Sequence, residues 1–317
     1  MMNTGLYQPL EEILVHDDFD HGLQGWVNLT PNFRQDAMEY FPTLQGYTDW
    51  GPPMLSSATF SYVGTHGSLT GTYSMKIGTK PVAGKVTDKP APGSMGHAIK
   101  RFTYLKRQLL KCEAWYTFKA EQDRPGIGEQ DIRAFGFMWD IQDDEKRYFC
   151  GARYMNAAGG KMQQRWQYLR ASEGTDEAWG DVGQSAMGHD ADGSADAPKV
   201  YLKRGIDPQW RGQRYADGGG DAFQDVPGGH QQLCYNETAD KINWHYFALT
   251  IDLAKREYVE LASVNKVFDL RGCAPTTVEA YPRINYLLNP IFWIEADTQR
   301  RVFLFVDSVV ISTGKGV

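Results

Sequence analysis

Closely spaced cysteines are missing from this sequence. Its four cysteines, Cys112, Cys150, Cys234 and Cys273, stand far apart and form no CxxC pair. Structural zinc sites usually draw their ligands from close pairs, so this spacing disfavours a zinc site. Cys112 and Cys150 lie inside strand-like runs, and we predict that both are buried free thiols.

The sequence also lacks long apolar runs and an excess of positive charge. No stretch approaches the roughly 20 apolar residues of a membrane helix. The net charge of -6 argues against nucleic acid or an anionic membrane as the main partner. The first residues show no basic region followed by an apolar stretch, so no secretory signal is predicted. The expected location is cytoplasmic as written, or secreted or periplasmic if a signal has been removed.

Helix-period segments are scarce, and alternating apolar residues predict strands instead. Between Asn243 and Leu270, four apolar side chains fall at every second position: Phe247, Leu249, Ile251 and Leu253. A charged turn and a second strand-like run follow, which is typical of a hairpin. Further runs at 109–121, 133–141, 147–154 and 162–169, joined by short polar or glycine turns, predict an antiparallel meander. Arg133 falls on the apolar face of its own run, which is unexpected unless that face is a polar cleft.

Residues 171–230 have a different composition, in which Gly, Asp and Ala dominate and apolar periodicity is lost. A loop of about 60 residues is unusual inside a compact domain unless it is functional. The segment keeps aromatic residues, which disordered segments normally lack. We therefore predict a single domain over residues 1–317, with residues 171–230 as an ordered insertion packed over one face.

Three motifs stand out: Asp17-Asp-Phe-Asp followed by Gly22 and Trp26, the run Trp244-His-Tyr-Phe-Ala-Leu-Thr-Ile-Asp, and Phe303-Leu-Phe-Val-Asp-Ser-Val-Val-Ile. Together they resemble the concanavalin A-like lectin and glucanase superfamily, with laminin-G-like features. The resemblance implies an all-β fold with two packed antiparallel sheets in a jelly roll, carrying long loop insertions. It also implies a bacterial member and, as in many relatives, a concave face that holds glycans.

Catalysis is left open by the sequence. Retaining hydrolases of the superfamily carry Glu-x-Asp-x-x-Glu, and Glu295-Ala-Asp-Thr-Gln-Arg300 has Arg at the acid position, which disfavours such an enzyme. A polysaccharide lyase would use a base beside a cation that neutralises a uronate. Arginines and tyrosines on adjacent predicted strands could converge on one face: Arg133, Arg147, Arg153, Arg165, Tyr148, Tyr154 and Tyr168.

The aromatic content favours a sugar ligand, because Trp and Tyr rings offer flat platforms for the apolar faces of sugars. Core packing is expected for Trp26, Trp139, Trp244 and Trp293. The predicted binding residues for an oligo- or polysaccharide are Trp50, Arg133, Arg153, Arg165, Trp179, Trp210 and Arg211. The alternative is an assembly protein whose aromatic loops bury a subunit interface, which would make the chain a homo-oligomer.

A structural Ca²⁺ ion is the one cofactor that the sequence suggests. Its predicted ligands join the acidic turn near the N-terminus to the last strand, since jelly-roll relatives often bring those chain ends together. The predicted set is Asp17, Asp18, Asp20 and Asp307.

Overall fold

A computed structural model describes residues 4–27, 53–57, 67–79, 95–104, 106–121, 128–170, 223–236, 242–275, 277–280 and 286–315. Within these ranges the regular structure is β, apart from two 3₁₀ turns at Thr4–Leu6 and Glu129–Asp131. In chain order the strands are β1 (Glu12–Asp17), β2 (Met54–Ser57), β3 (Tyr73–Gly78), β4 (Met95–Ile99), β5 (Phe102–Thr103), β6 (Leu109–Ala120), β7 (Ile132–Gln142), β8 (Lys146–Ala158), β9 (Lys161–Leu169), β10 (Phe223–His230), β11 (His245–Asp252), β12 (Glu257–Ser263), β13 (Lys266–Asp269), β14 (Thr277–Glu279), β15 (Leu287–Ala296) and β16 (Val302–Gly314). No helix in the described ranges is long or apolar enough to cross a membrane.

The strands form two antiparallel sheets. Sheet 1 has the order β13-β12-β11-β6-β16-β3-β2, and β1 pairs with the second half of β16. Sheet 2 has the order β10-β9-β8-β7-β15-β4, with β14 beside β8 and β5 beside β15. The fold is therefore an open, two-sheet antiparallel β-sandwich, as the sequence predicted.

The main core lies between the two sheets and follows the predicted alternation. On β6, Cys112, Ala114 and Phe118 point inward, and the Phe118 ring packs 4.6 Å from the ring of Phe135 in sheet 2. Tyr258 adds a polar link, because its hydroxyl accepts from the Gly151 amide at 2.8 Å and donates to the Leu169 carbonyl at 2.8 Å. The sandwich is thus joined by apolar packing and by buried hydrogen bonds.

The predicted hairpin is β11–β12. Its four alternating apolar residues, Phe247 to Leu253, are all buried in the core between the sheets. A bulge between Thr250 and Ile251 shifts the register, and Arg256 in the turn adopts a left-handed φ of 57°. The meander β7–β8–β9 is also confirmed, and Gly159 and Gly160, with φ of 58° and 74°, make its second turn.

The outer face of sheet 1 is sealed in part by the first residues of the chain. The Gln8 amide donates to Glu113 Oε1 at 2.7 Å, and the Leu10 amide donates to Ser312 Oγ at 2.9 Å. The Trp115 indole donates in return to the Leu6 carbonyl at 3.2 Å. This segment lies across β6 and β16, so the other outward surface of the sandwich is the outer face of sheet 2.

Two details of sheet 2 correct the sequence interpretation. Ala134 pairs with Glu295 while Ile132 pairs with Ala296, so Arg133 is the extra residue of a β-bulge. The bulge places Arg133 on the outer side and leaves Ile132 in the core. The last eight residues of the predicted insertion form β10, which pairs with β9 and belongs to the sheet. Residues 171–222 lie outside the described residues, and their packing over one face stays a prediction.

Candidate functional site

The outer face of sheet 2 carries the candidate site. Side chains on β7, β8 and β15 that alternate with the core residues point to this face, and neighbouring strands bring Trp293 opposite Gly136 and Gly136 opposite Arg153. Its centre is a small apolar cluster, separate from the main core, made of Ala134, Met138, Met155, Phe223 and Trp293. The cluster is a second, smaller apolar core bordered by polar groups.

Two glycines keep the middle of this face flat. A Cβ on Gly136 would lie 2.3 Å from the Ala152 carbonyl oxygen, and a Cβ on Gly151 would lie 2.6 Å from the Cβ of Met138. Strands β7 and β8 therefore approach each other too closely here for any side chain. The Phe223 ring lies 6.2 Å from the Trp293 ring and 4.0 Å from the Arg153 guanidinium carbon, so it packs against both side chains.

One end of the face holds an ionic cluster around the bulge. Arg133 Nε lies 3.4 Å from Glu295 Oε1, and its Nη1 lies 3.3 Å from Asp297 Oδ1. The other oxygen of Asp297 accepts from the Gly160 amide at 2.8 Å. The bulge thus places one guanidinium group between two carboxylates.

The opposite end holds a second cluster. Arg147 binds Asp140 through two hydrogen bonds, Nε to Oδ1 at 3.1 Å and Nη2 to Oδ2 at 3.0 Å. Asn289, which faces Asp140 across the ladder, donates its Nδ2 to Asp140 Oδ2 at 3.4 Å. Since a carboxylate can only accept, the amide nitrogen of Asn289 must face Asp140, and Asn289 Oδ1 points away from it.

The β9 side of the face is polar as well. Arg153 donates its Nε to Gln167 Oε1 at 2.7 Å, and its guanidinium carbon lies 4.0 Å from the centre of the Phe223 ring. Gln167 Nε2 donates in turn to Asp225 Oδ1 at 2.6 Å, and Arg165 Nη1 forms an ion pair with Asp225 Oδ2 at 3.0 Å. Stacking of this kind combines cation–π attraction with the burial of the aromatic ring.

These outward-pointing side chains are enclosed. Trp293 is 3% exposed, Asn289 4% and Arg147 6%. In the described part of the chain, Trp293 Nε1, Arg147 Nη1 and Asn289 Oδ1 are buried and have no hydrogen-bond partner. A buried polar group without a hydrogen-bond partner lowers the stability of the fold by about 1–3 kcal/mol, so the presence of three such groups on one face needs a reason.

The structure brings three predicted binding residues onto one face and leaves others untested. Arg133, Arg153 and Arg165 all lie on the outer face of sheet 2. Four of the predicted residues lie outside the described residues: Trp50, Trp179, Trp210 and Arg211. Sequence reasoning missed Trp293, which was expected in the main core. The sequence did contain an indication of this position: Trp293 lies an even number of residues from Asn289 and Glu295, so the strand period of two places all three side chains on the same face.

The prediction that arginines and tyrosines converge on one face, as a lyase would need, is wrong. Tyr148, Tyr154 and Tyr168 are packed in the main core, whereas the arginines of the same strands point to the outer face. Arg153 and Tyr154 are adjacent on one strand, so the period of two places them on opposite faces. The hydrolase-like motif lacks its third group here too, since Arg300 turns to Asp131 at 3.6 Å.

The two chain ends that carry the predicted calcium ligands lie side by side, where Asp17 pairs with Val309. Their oxygens, however, hold other groups. Asp17 Oδ2 accepts from Trp26 Nε1 at 2.8 Å and from Lys100 Nζ at 2.9 Å. Asp307 Oδ2 accepts the amides of residues 69 and 70, and Asp20 Oδ1 accepts those of residues 72 and 73.

This arrangement does not fit calcium, which takes six to eight oxygen ligands. Asp18 Oδ1 only accepts the Asp20 amide, at 3.2 Å. No group of three or more His, Cys, Asp or Glu side chains in the described ranges is placed to hold a metal ion. Burial raises the pKa of Asp307 to about 6, although its hydrogen bonds to two amides and to the Ser308 hydroxyl act in the opposite direction.

The strand order and the enclosed outer face define a β-sandwich protein with one candidate ligand-binding face. The chain belongs to the family described as a domain of unknown function (DUF6772), whose model matches residues 2–315. No curated protein shows significant similarity to the sequence.

Several solved structures resemble the chain in part. One comes from work on endo-acting O-glycanases that prominent members of the human gut microbiota express to initiate mucin breakdown; it shares 12% identity over 95% of this chain and 98% of that one, at a TM-score of 0.42. The T. cruzi calreticulin globular domain shares 10% identity over 95% and 87%, at 0.38. The metal-free carbohydrate recognition domain of Emp46p shares 9% over 71% and 80%, at 0.32. TM-scores this low do not establish a common fold, so the architecture rests on the strand pairings of this chain.

Proposed function

We propose that this protein binds a carbohydrate on the outer face of sheet 2. The observation that carries the proposal is the combination, on one enclosed face, of an indole ring with polar atoms that lack partners. Trp293 is 3% exposed and packs against Phe223, so a ligand reaches the indole by displacing the side chains packed over it. Trp rings suit the apolar C–H faces of sugars. Ligand sites are typically apolar surfaces with a few placed polar groups, which is the composition found here.

The ionic clusters at the two ends support the proposal by holding carboxylate oxygens in place. Glu295 and Asp297 are fixed by Arg133, and Asp140 is fixed by Arg147. Fixed carboxylates accept hydrogen bonds from hydroxyl groups without having to reorganise, which lowers the entropic cost of binding. A binding role is favoured over a hydrolytic one, because Arg300 occupies the position of the acid in the hydrolase-like motif and pairs with Asp131.

The test is isothermal titration calorimetry against a broad panel of plant and host oligosaccharides. At least one member should bind saturably, and Trp293→Ala should weaken that binding at least tenfold through loss of the platform. Since a large-to-small change at a buried Trp costs about 3–5 kcal/mol of stability, Trp293→Phe serves as a second variant that keeps the packing.

Trp115→Phe is the matched control, because Trp115 lies on the outer face of sheet 1 beside the N-terminal segment. It should bind the same sugar as the unmodified chain does. The proposal is wrong if no member of the panel binds, or if Trp293→Ala and Trp293→Phe both bind as tightly as the unmodified chain.

The assembly alternative depends on aromatic loops at Trp50, Trp179 and Trp210, all outside the described residues. Homo-oligomer formation therefore stays a prediction, and light scattering tests it. A strict monomer would remove that alternative and leave the sugar-binding proposal untouched.

A further inference from the structure

We infer that Lys76 is a reactive amine that reversibly captures small aldehydes, such as the open-chain form of a reducing sugar, as an imine. Its position on β3, in the outer face of sheet 1, makes it independent of the sugar site proposed for sheet 2. Three features of its surroundings set it apart: partial burial, an aromatic ring beside Nζ, and the lack of a counter-ion of its own.

Lys76 lies where a small molecule can approach it. Alternation along β3 places it on the outer face, because Met75 and Ile77 on either side of it are buried in the main core. The side chain is half-buried, and its Nζ lies 4.5 Å from the centre of the Phe303 ring. Met54, its ladder partner on β2, is 43% exposed, so the amine lies beside solvent-exposed surface.

The Lys76 amine has no acceptor. Among the described residues, no hydrogen bond or ion pair is made by its Nζ. The carboxylate of Glu121, whose charge acts on Lys76, is held by Arg301: Glu121 Oε1 accepts from Arg301 Nε at 2.9 Å and also from its Nη2. Lys100 and Lys111, which are also poorly exposed, differ in that each has a carboxylate partner, at 2.9 and 3.5 Å.

These surroundings favour the neutral amine. Burial lowers the pKa of Lys76 to about 8, and the positive charge of Arg301 acts in the same direction, whereas Glu121 acts against it. Cation–π attraction to Phe303 also favours the charged form, but at a partly exposed site it raises a pKa by less than about one unit. With a pKa of about 8, about a quarter of the amine is neutral at pH 7.5, against about 0.1% for an ordinary lysine.

A neutral lysine amine is a nucleophile toward carbonyl compounds. Its lone pair attacks the aldehyde carbon, the resulting carbinolamine loses water, and an imine forms with no change in oxidation state. Hydrolysis returns the amine and the aldehyde by the reverse route, so the capture is reversible. The Phe303 ring beside Nζ offers an apolar surface for the carbon chain of the aldehyde.

The experiment is labelling of the folded chain with glyceraldehyde and cyanoborohydride, which reduces the imine to a stable secondary amine. Labelled positions are quantified by peptide mass spectrometry at pH 7.5, with exposed Lys161 as the reference amine. Lys76 should be labelled at least about fivefold faster than Lys161, a margin that allows for its partial burial. Its labelling should level off above about pH 9, and ion-paired Lys111 should be labelled more slowly than Lys161.

Two charge variants test the role of the neighbouring ion pair. Arg301→Gln removes the cation that lowers the pKa of Lys76 and leaves Glu121 without its guanidinium partner, so labelling of Lys76 should fall at least about threefold. Glu121→Gln removes the opposing charge, so labelling should rise. Labelling of Lys161 should not change in either variant, and circular dichroism checks that both are folded.

Two results would overturn the inference. One is labelling of Lys76 no faster than that of Lys161 in the unmodified chain. The other is labelling of Lys76 that does not change in Arg301→Gln, because the reactivity would then not come from this cluster of charges. Neither result bears on sugar binding at sheet 2, which calorimetry measures separately.

Discussion

Gly136→Ala is the perturbation that most directly probes the geometry of the outer face. The added methyl group would lie 2.3 Å from the Ala152 carbonyl oxygen and 2.9 Å from the Cα of Arg153. The closer of these contacts is about 1 Å inside ordinary van der Waals distance. Both partners are backbone atoms of β8, so neither can rotate away, and the two strands must separate.

The expected cost follows from that separation. Overpacking in a close-packed region destabilises a protein by about 1–3 kcal/mol, and here the shift also strains the β7–β8 ladder. Gly78→Ala is the matched control, since Gly78 lies in a strand of sheet 1 and its new methyl group would meet only the Phe303 ring, at 3.2 Å. The control should be neutral within about 1 kcal/mol, because replacing Gly also reduces the entropy of the unfolded chain.

The assay is urea unfolding followed by tryptophan fluorescence, with the slope compared between variants to confirm that both remain two-state. Sugar binding is measured on the folded Gly136→Ala variant, where displacement of β8 should weaken it. A loss of less than about 0.5 kcal/mol, equal to that of Gly78→Ala, would refute the view that the glycines set the strand spacing.

Four further results are expected. Leu249→Ala should cost about 2–5 kcal/mol, because Leu249 is buried in the core, and a change below about 0.5 kcal/mol would show that this strand face is solvated. Burial raises the pKa of Cys112 and of Cys150, so both should resist a thiol reagent in the native state while exposed Cys234 reacts; prompt labelling of all of them would contradict the core assignment. Burial lowers the pKa of His245, so the unfolded state binds the proton more tightly and stability should fall as pH drops below about 6.5; the same slope in His245→Gln would show that another group titrates. Leu169 and Phe223 are ladder partners, so a short Gly-Asn turn in place of residues 171–221 should leave a β-rich circular dichroism spectrum, and loss of folding would show that the segment is core structure.

The period-two pattern predicted most of the sandwich, because its core residues alternate with little interruption. The hairpin and the meander were recoverable from that pattern, whereas the pairing of the chain ends was expected from the family resemblance. Strand β10 was missed because its sequence, Phe-Gln-Asp-Val-Pro-Gly-Gly-His, carries Pro and Gly and its register with β9 is irregular. Glycine and proline are tolerated at such an edge, and they hide the strand from propensity arguments.

The candidate site was only partly predictable, for two physical reasons. A bulge moved Arg133 to the outer face, and bulges leave little trace in the sequence. Both faces of sheet 2 are largely buried, so alternation did not separate apolar from polar positions and Trp293 looked like a core residue. The lyase candidates were separable by sequence, because adjacent Arg and Tyr residues on one strand must point to opposite faces.

A crystal structure with the tightest-binding oligosaccharide of the panel tests the central claim most directly. We predict sugar density on the outer face of sheet 2, with one ring stacked on Trp293 and a hydroxyl within hydrogen-bond distance of Asn289 Oδ1. Density on the outer face of sheet 1 or at a sheet edge, with the outer face of sheet 2 left unchanged, would contradict it.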